Sequence, residues 1–428
     1  MNNTLQKDTI CLTGGIDVAN GEPRALPINQ STTYYYDSIE HMCKLFDLSA
    51  TGYLYSRIHN PTNDAVAKKI CELEGGVAAM LTSSGQAATF FAITNICSAG
   101  DHFICSSGVY GGTINLFSTT LKRFGIECTY VDQEASETEI SKAFKPNTKA
   151  VFAESIANPA LAVLDFCKFS KLSKKHGVPL IVDNTFATPI NCQALKHGAD
   201  IVVHSTTKYM DGHGTCIGGA IVDSGNFDWD KYSDKFPYLT TPDSSYHGLV
   251  YTKAFGKAAY IFKAVVQLQR DIGACPSPLN SFILNTHLES LALRIERHSS
   301  NALKVAQYLQ KQTDIVSWVK FPQLKGDKYN ALAKKYMPNG TCGVVTFGLK
   351  GGRDVAIKFL DSLKLTAIAT HVADARTCAL YPAGTTHRQC TPEQLAAAGV
   401  TQDLVRISIG IENPNDIIAD IAQALANC

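Results

Sequence analysis

The sequence predicts an α/β protein with a large, mostly parallel sheet, followed by a smaller C-terminal α/β domain. Three observations predict it. Over residues 61–265, short apolar strands alternate with helical patterns, as parallel strands joined by crossover helices do. From about residue 266 a long helical pattern gives way to a second set of strands. The 428 residues are too many for one small core and suit two.

Residues 1–60 read as an extended arm, with Leu26-Pro27-Ile28, then Thr32-Thr33-Tyr34-Tyr35-Tyr36, then the stretch 53–61. Within 61–265 the clear helical patterns are 64–73, 85–96 and 165–176. The clear strands are 150–154, 178–183, 201–204 and 219–222, with an apolar run at 77–81. Between 224 and 248 lies a polar, aromatic insertion centred on Phe236-Pro237-Tyr238-Leu239, too irregular for an element of regular structure. Such a loop decorates a surface or, near a sheet edge, shapes a site. In 266–428 the stretch 279–308 reads as one long helix, followed by strands at 316–321, 343–349 and 405–409. There are no repeats or low-complexity segments.

Strand 178–183 ends in Asp183, and strand 201–204 leads into Ser205-Thr206-Thr207-Lys208-Tyr209. A short helix at 191–197 between them makes a βαβ unit, so both carboxyl ends open on one sheet edge, where open α/β sheets bind ligands. A lysine and an aspartate at that edge suit pyridoxal phosphate (PLP). The amine forms a Schiff base, and the carboxylate keeps the pyridine nitrogen protonated so that the ring draws in electrons. Ser205 and Thr207 stand close enough to Lys208 to hydrogen-bond the phosphate. Ser84-Gly85-Gln86, after the apolar run, opens a helix whose first-turn N–H groups and dipole suit the same anion. Alone, Ser84-Gly85 is an ordinary N-cap and turn; joined to Asp183 and Lys208 it reads as part of a cofactor site.

Formal net charge is +1, with Lys and Arg scattered, which points away from nucleic acid and from a basic membrane surface. The N-terminus, through Asp8, lacks the apolar core of a signal peptide, and no apolar run reaches spanning length. The fourteen cysteines are dispersed and never spaced Cys-x-x-Cys, so no metal site is expected. Reduced, mostly buried thiols in a cytoplasmic enzyme are the expectation.

With Tyr55-Ser56-Arg57-Ile58-His59-Asn60-Pro61-Thr62, Val109-Tyr110-Gly111-Gly112-Thr113 and the lysine segment ending Gly212-His213-Gly214, the chain resembles the Cys/Met-metabolism family of PLP enzymes nearly end to end. The resemblance implies the type I (aspartate-aminotransferase-like) fold. It implies Lys208 as the Schiff-base lysine and proton carrier, and Asp183 on the pyridine nitrogen. Ser205, Thr207, Gly85 and Gln86 then take the phosphate, and Asn158 the ring oxygen, near Glu154 at the same strand end. Tyr55 and Arg57 are implied to reach the phosphate of a neighbouring subunit, making a dimer the minimum and a tetramer the usual assembly. Tyr110 is implied to stack on the ring and protonate the γ leaving group, and Arg406 to pair with the substrate carboxylate. Arg406 sits in an apolar strand, where a buried charge needs a partner.

Within the family, methionine γ-lyases carry a cysteine where this chain has Gly112. The insertion, running on through Pro242-Asp243-Ser244-Ser245-Tyr246-His247-Gly248, and the ending Gly399-Val400-Thr401-Gln402-Asp403 look like those of O-acetylhomoserine sulfhydrylases. The expected reaction is γ-replacement on O-acetyl-L-homoserine by sulfide or a small thiol, giving L-homocysteine or methionine and acetate, a step of methionine biosynthesis. The alternative is a γ-elimination lyase, of methionine γ-lyase or cystathionine γ-lyase type, releasing α-ketobutyrate and ammonia. His371, where sulfhydrylases more often carry Asn, either tunes the substrate-carboxylate pocket or simply packs at a strand end. His59 is also atypical and has no functional account.

Overall fold

In the computed structural model, residues 5–16, 18–389 and 391–428 are described, so Met1–Thr4 at the start of the expected arm lie outside it. Two sheets organise these residues. The larger has seven strands: β1 (Ala78–Thr82), β2 (His102–Ser106), β3 (Glu127–Val131), β4 (Thr148–Glu154), β5 (Leu180–Asp183), β6 (Ile201–Ser205) and β7 (Gly219–Asp223). Their order is β1-β7-β6-β5-β4-β2-β3. β7 runs antiparallel to both its neighbours and all other pairs are parallel. The smaller sheet holds β8 (Val316–Lys320), β9 (Val344–Leu349), β10 (Ala367–Ile368), β11 (Cys378–Leu380) and β12 (Leu404–Ser408), in the order β10-β11-β12-β9-β8.

Alternation along the central strands divides the core. Leu180, Val182 and Val202 join one buried cluster, while Ile181, Ile201 and Val203 join the cluster on the other face. The first cluster continues into the smaller sheet through Val345, Phe347 and Ile407. Asn60 caps the helix Pro61–Glu74 by accepting from Thr62 N at 3.0 Å, and Gly75, at φ 78°, closes it in the left-handed region. A helical run over 259–272, π-helical at Ala264–Gln269, passes through residue 265.

Several expectations are corrected. The helix read over 279–308 is two, Pro278–Leu288 and Leu291–Gln310. Ser290 leaves helical geometry (φ −100°, ψ 4°), and the Arg294 guanidinium joins it at the break, donating to His287 O at 2.9 Å and to Ser290 Oγ at 3.1 Å. The arm is not wholly extended. Lys7–Thr13 forms a helix held to the body by buried Ile10 and Cys11, the Cys11 carbonyl accepting from Lys69 Nζ at 3.0 Å, and Ile39–Phe46 forms a second, capped by Ser38. The insertion also holds short helical turns, Asp230–Tyr232, Pro237–Thr240 and Ser244–Tyr246. Its Trp229 and Phe236 are buried, and Trp229 stacks on Tyr260 at 5.5 Å, so aromatic packing orders it.

Candidate active site

β4, β5 and β6 end side by side in Glu154, Asp183 and Ser205, with Glu154 opposite Asp183 in the parallel register. Over these ends lies a cavity of about 250 Å³. Gly85, Gln86, Tyr110, Asn158, Asp183, Ser205, Thr207, Lys208 and Arg406 all line it. Nine of the residues singled out by sequence, spread across the chain, therefore meet on one surface.

Each is delivered by an identifiable element. Ser84 caps the helix Gly85–Thr94, its hydroxyl accepting from Ala87 N at 3.1 Å. First-turn amides have no acceptor within a helix, so those of Gly85 and Gln86, two cavity residues, remain for an anion. A Cβ on Gly85 would stand 2.5 Å from Ser205 Cβ, so only glycine lets helix and strand meet here. Thr207 Oγ1 is already engaged with Gly218, accepting from its N–H at 3.1 Å.

Lys208 lies three residues past the end of β6, in the turn that follows it, and its amine makes no hydrogen bond or ion pair among the described residues. Burial, then the nearby Arg406 guanidinium, lower it from the ordinary lysine value. Asp183 is pushed up by burial, against which Thr185, donating its N–H at 2.9 Å, acts to lower it. Glu154 is pushed well up by burial and then by Asp183. Its two oxygens accept from Tyr110 N at 2.7 Å and from Asn158 N at 3.2 Å.

Arg406 arrives on β12 of the smaller sheet and is 3 % exposed. It donates to Asn158 Oδ1 at 3.2 Å and to the His371 carbonyl at 3.0 Å, while its Nε is buried without a partner. No carboxylate pairs with it among the described residues, and burial lowers it to about 10. A buried guanidinium in that condition is built for an incoming anion.

Tyr110 is 40 % exposed and lies over Gly112; a Cβ there would stand 2.4 Å from its ring. The His371 ring does not line the cavity. Its Nε2 is buried without a hydrogen bond, 3.8 Å from Asp374 Oδ2, and burial, then Lys208, lower its pKa. Tyr55 and Arg57 lie elsewhere, on a wide groove of about 1320 Å³ between the arm and the insertion. His59 reaches Asp64 at 3.3 Å on that same groove. Thr185, Phe186, Thr370 and Thr386 also line the cavity and were not singled out by sequence. Thr185, two residues past Asp183, was the one within reach of motif spacing.

The residues present fit PLP: an amine without a partner, a buried carboxylate, and an anion-ready helix start, all on one cavity. When bound, PLP supplies an electron sink for carbanion chemistry at an amino acid's α carbon. Among the described residues no helix is long and apolar enough to cross a membrane, no group of side chains could hold a metal, and the cysteines are free.

Comparison with known proteins agrees. Residues 8–426 match the family described as Cys/Met metabolism PLP-dependent enzyme. The chain is 45 % identical to the O-acetyl-L-homoserine sulfhydrylase of Leptospira meyeri, covering 100 % of this chain and 98 % of that one. It is 47 % identical to the homocysteine synthase of Schizosaccharomyces pombe, covering 94 % of each. A Campylobacter jejuni structure assigned as an O-acetylhomoserine (thiol)-lyase, with a pyridoxyl-lysine in its chain, superposes with TM-score 0.95 at 38 % identity, over 99 % of this chain and 100 % of that one. The cystathionine γ-lyase of Lactobacillus plantarum superposes with TM-score 0.84 at 29 % identity, over 99 % of each. The architecture is the type I fold of PLP enzymes, and the chain belongs to the Cys/Met metabolism family of PLP-dependent enzymes.

Proposed function

We propose that this enzyme replaces the γ substituent of O-acetyl-L-homoserine with sulfide or a small thiol, giving L-homocysteine or methionine and acetate. The observation that carries the choice of replacement over elimination is the set of relatives, named O-acetyl-L-homoserine sulfhydrylase and homocysteine synthase; Gly112, packed against the Tyr110 ring, stands where methionine γ-lyases carry a cysteine.

Placement on the cavity and the family resemblance support the following roles. Ser205, Thr207, Gly85 and Gln86 hold the phosphate, Asn158 the ring oxygen, and Asp183 the ring nitrogen. Arg406 takes the substrate α-carboxylate. Lys208, with an amine made less basic by burial, takes the α proton and returns it to neighbouring carbons. Tyr110 gives its phenolic proton to the departing acetate. His371, whose carbonyl orients Arg406, shapes the carboxylate pocket from behind. The unit 61–265 supplies the cofactor residues and the unit 266–428 supplies Arg406.

Tyr55 and Arg57 lie outside their own cavity, and the arm is exposed, Tyr35 fully so. That supports a homo-oligomer, at least a dimer and in the family's habit a tetramer, in which each arm serves the neighbouring phosphate. The setting proposed is cytoplasmic methionine biosynthesis.

Product analysis of the PLP-loaded enzyme tests the function. Given O-acetylhomoserine, homocysteine should form only when sulfide is added, with little ketobutyrate. Ketobutyrate and ammonia dominating with and without sulfide would replace this reading with a lyase.

A further inference from the structure

The insertion at 224–248 and the π-helical turn Ala264–Gln269 have no part in the cavity, yet they meet at one place. Asp243 is the hub of the insertion's tip. Its Oδ1 accepts from Ser245 N at 2.8 Å and Ser245 Oγ at 2.7 Å. Its Oδ2 accepts from Tyr251 OH at 2.8 Å and from Gln267 Nε2, which lies on the π-helical turn. Burial alone would raise this carboxyl, but the bonds from Ser245 and Tyr251 hold it below the ordinary aspartate range. Tyr246 fastens the same turn from a second point. Its hydroxyl donates to Val266 O at 2.8 Å and accepts from Arg270 at 2.6 Å.

What the turn carries at its far end is Arg57. The guanidinium donates to the Arg270 carbonyl, and Gln269 Nε2 donates to the Arg57 carbonyl at 3.1 Å. Arg57 also covers the Tyr55 ring at 5.4 Å, and Arg270 covers the Tyr246 ring at 5.2 Å, so two arginine–tyrosine pairs line the groove between arm and insertion. His247 lies 4.0 Å from Asp47 of the arm, a second, exposed tie between the two segments. A π-helical turn is a rare local form, common where function needs a helix re-aimed. Here it sets Gln269 and Arg270 against the arm.

We propose that the insertion is a brace: through Asp243 and Tyr246 it fixes the π-helical turn, and the turn fixes Arg57 and Tyr55 for the neighbouring subunit's cofactor phosphate. This rests on the arm's proposed role. Asp243 and Tyr246 are positioning residues, touching neither substrate nor cofactor, so the readout is cofactor retention and not turnover.

The experiment follows loss of bound-cofactor absorbance during dialysis of the holoenzyme and its variants. Asp243→Asn and, independently, Tyr246→Phe (which removes one oxygen) should each speed the loss about tenfold, the size expected when a charge-assisted contact is loosened. Arg57→Ala should do the same, and Arg57→Ala/Asp243→Asn should lose cofactor no faster than Arg57→Ala alone. Additive effects in the double variant would overturn the brace, as would normal retention in both Asp243→Asn and Tyr246→Phe while Arg57→Ala leaks. Normal retention in Arg57→Ala itself would overturn the arm's role first, and the brace with it.

Discussion

Gly112 and Tyr110 are in contact so close that a Cβ on residue 112 would sit 2.4 Å from the tyrosine Cε1 and 2.8 Å from Gln86 Nε2. Residue 112 has only its hydrogens to spare, so the phenol keeps its place over the cavity because the chain is bare beneath it.

Gly112→Ala should therefore cripple the chemistry without unfolding the protein. The ring is 40 % exposed and can swing away, so the added methyl is relieved at Tyr110's expense and not the core's. Loss of a positioned general acid costs about 10²–10⁴ in rate, and displacement should reach the lower end of that in kcat. Steady-state kinetics and a melting curve check it. An unchanged kcat would mean that the phenol's present position is not the working one.

Arg406→Lys should raise KM for the amino-acid substrate far more than it lowers kcat. Asn158 and the His371 carbonyl hold the guanidinium plane as a fork, which an ammonium cannot reproduce. A charged contact of this kind is worth about 1.5–3 kcal/mol, or roughly tenfold to a hundredfold in KM. A KM equal to that of the parent would remove Arg406 from the carboxylate site.

At the opposite edge of the large sheet, Asp223 and Asp200 are buried acids. Burial is the main cause for both, lifting Asp223 to about 7 and Asp200 to about 6. Asp223 keeps one bond, from Gly225 N at 2.8 Å, and its other oxygen is buried without a partner. Both folded-state values lie above the unfolded value, so between about pH 4 and 7 the native state holds more protons than the unfolded chain. Stability from these groups is thus fully present below the unfolded value and is lost as pH rises through the folded values. Denaturant midpoints should fall from pH 5 to pH 8, and Asp223→Asn, which keeps the Gly225 bond, should flatten the fall. Each unit of raised pKa removed is worth about 1.4 kcal/mol at the upper end of the range. An Asp223→Asn curve parallel to the parent's would show that Asp223 ionises freely in the fold.

What sequence could reveal follows from which signals are local. Strands ending in Asp183 and before Lys208 were legible because an apolar run meets a polar end in one stretch. β2 is not among the strands clear from sequence, and it opens with His102, a polar residue. In the fold that ring is wholly buried and satisfied by two hydroxyls, Thr148 at 2.8 Å and Thr129 at 2.7 Å, both distant in sequence. The break at Ser290 carries no glycine or proline to mark it, and the side-chain bonds around it, from the Ser290 hydroxyl and the Arg294 guanidinium to His287 O, are not written in sequence spacing. The cavity residues were recognisable one motif at a time. That Glu154 binds two of those motifs together depends on side-chain reach, which spacing does not encode.

That link makes Glu154 the most informative remaining substitution. One oxygen holds Tyr110 N, the other holds Asn158 N, and Asn158 in turn accepts from Arg406. A single side chain from the large sheet thus sets both the phenol and, through Asn158, the guanidinium of the small sheet. In Glu154→Gln one acceptor becomes a donor facing a backbone N–H, so one of the two anchors must fail. Either failure should show in kinetics: a lost Tyr110 anchor lowers kcat, and a lost Asn158 anchor raises KM, each by about tenfold for one buried hydrogen bond. If the KM effect travels through Asn158, it should vanish when Glu154→Gln is added to Asn158→Ala. Kinetics of Glu154→Gln matching the parent in both constants would leave Glu154 as sheet-end packing, and the two halves of the site as independently placed.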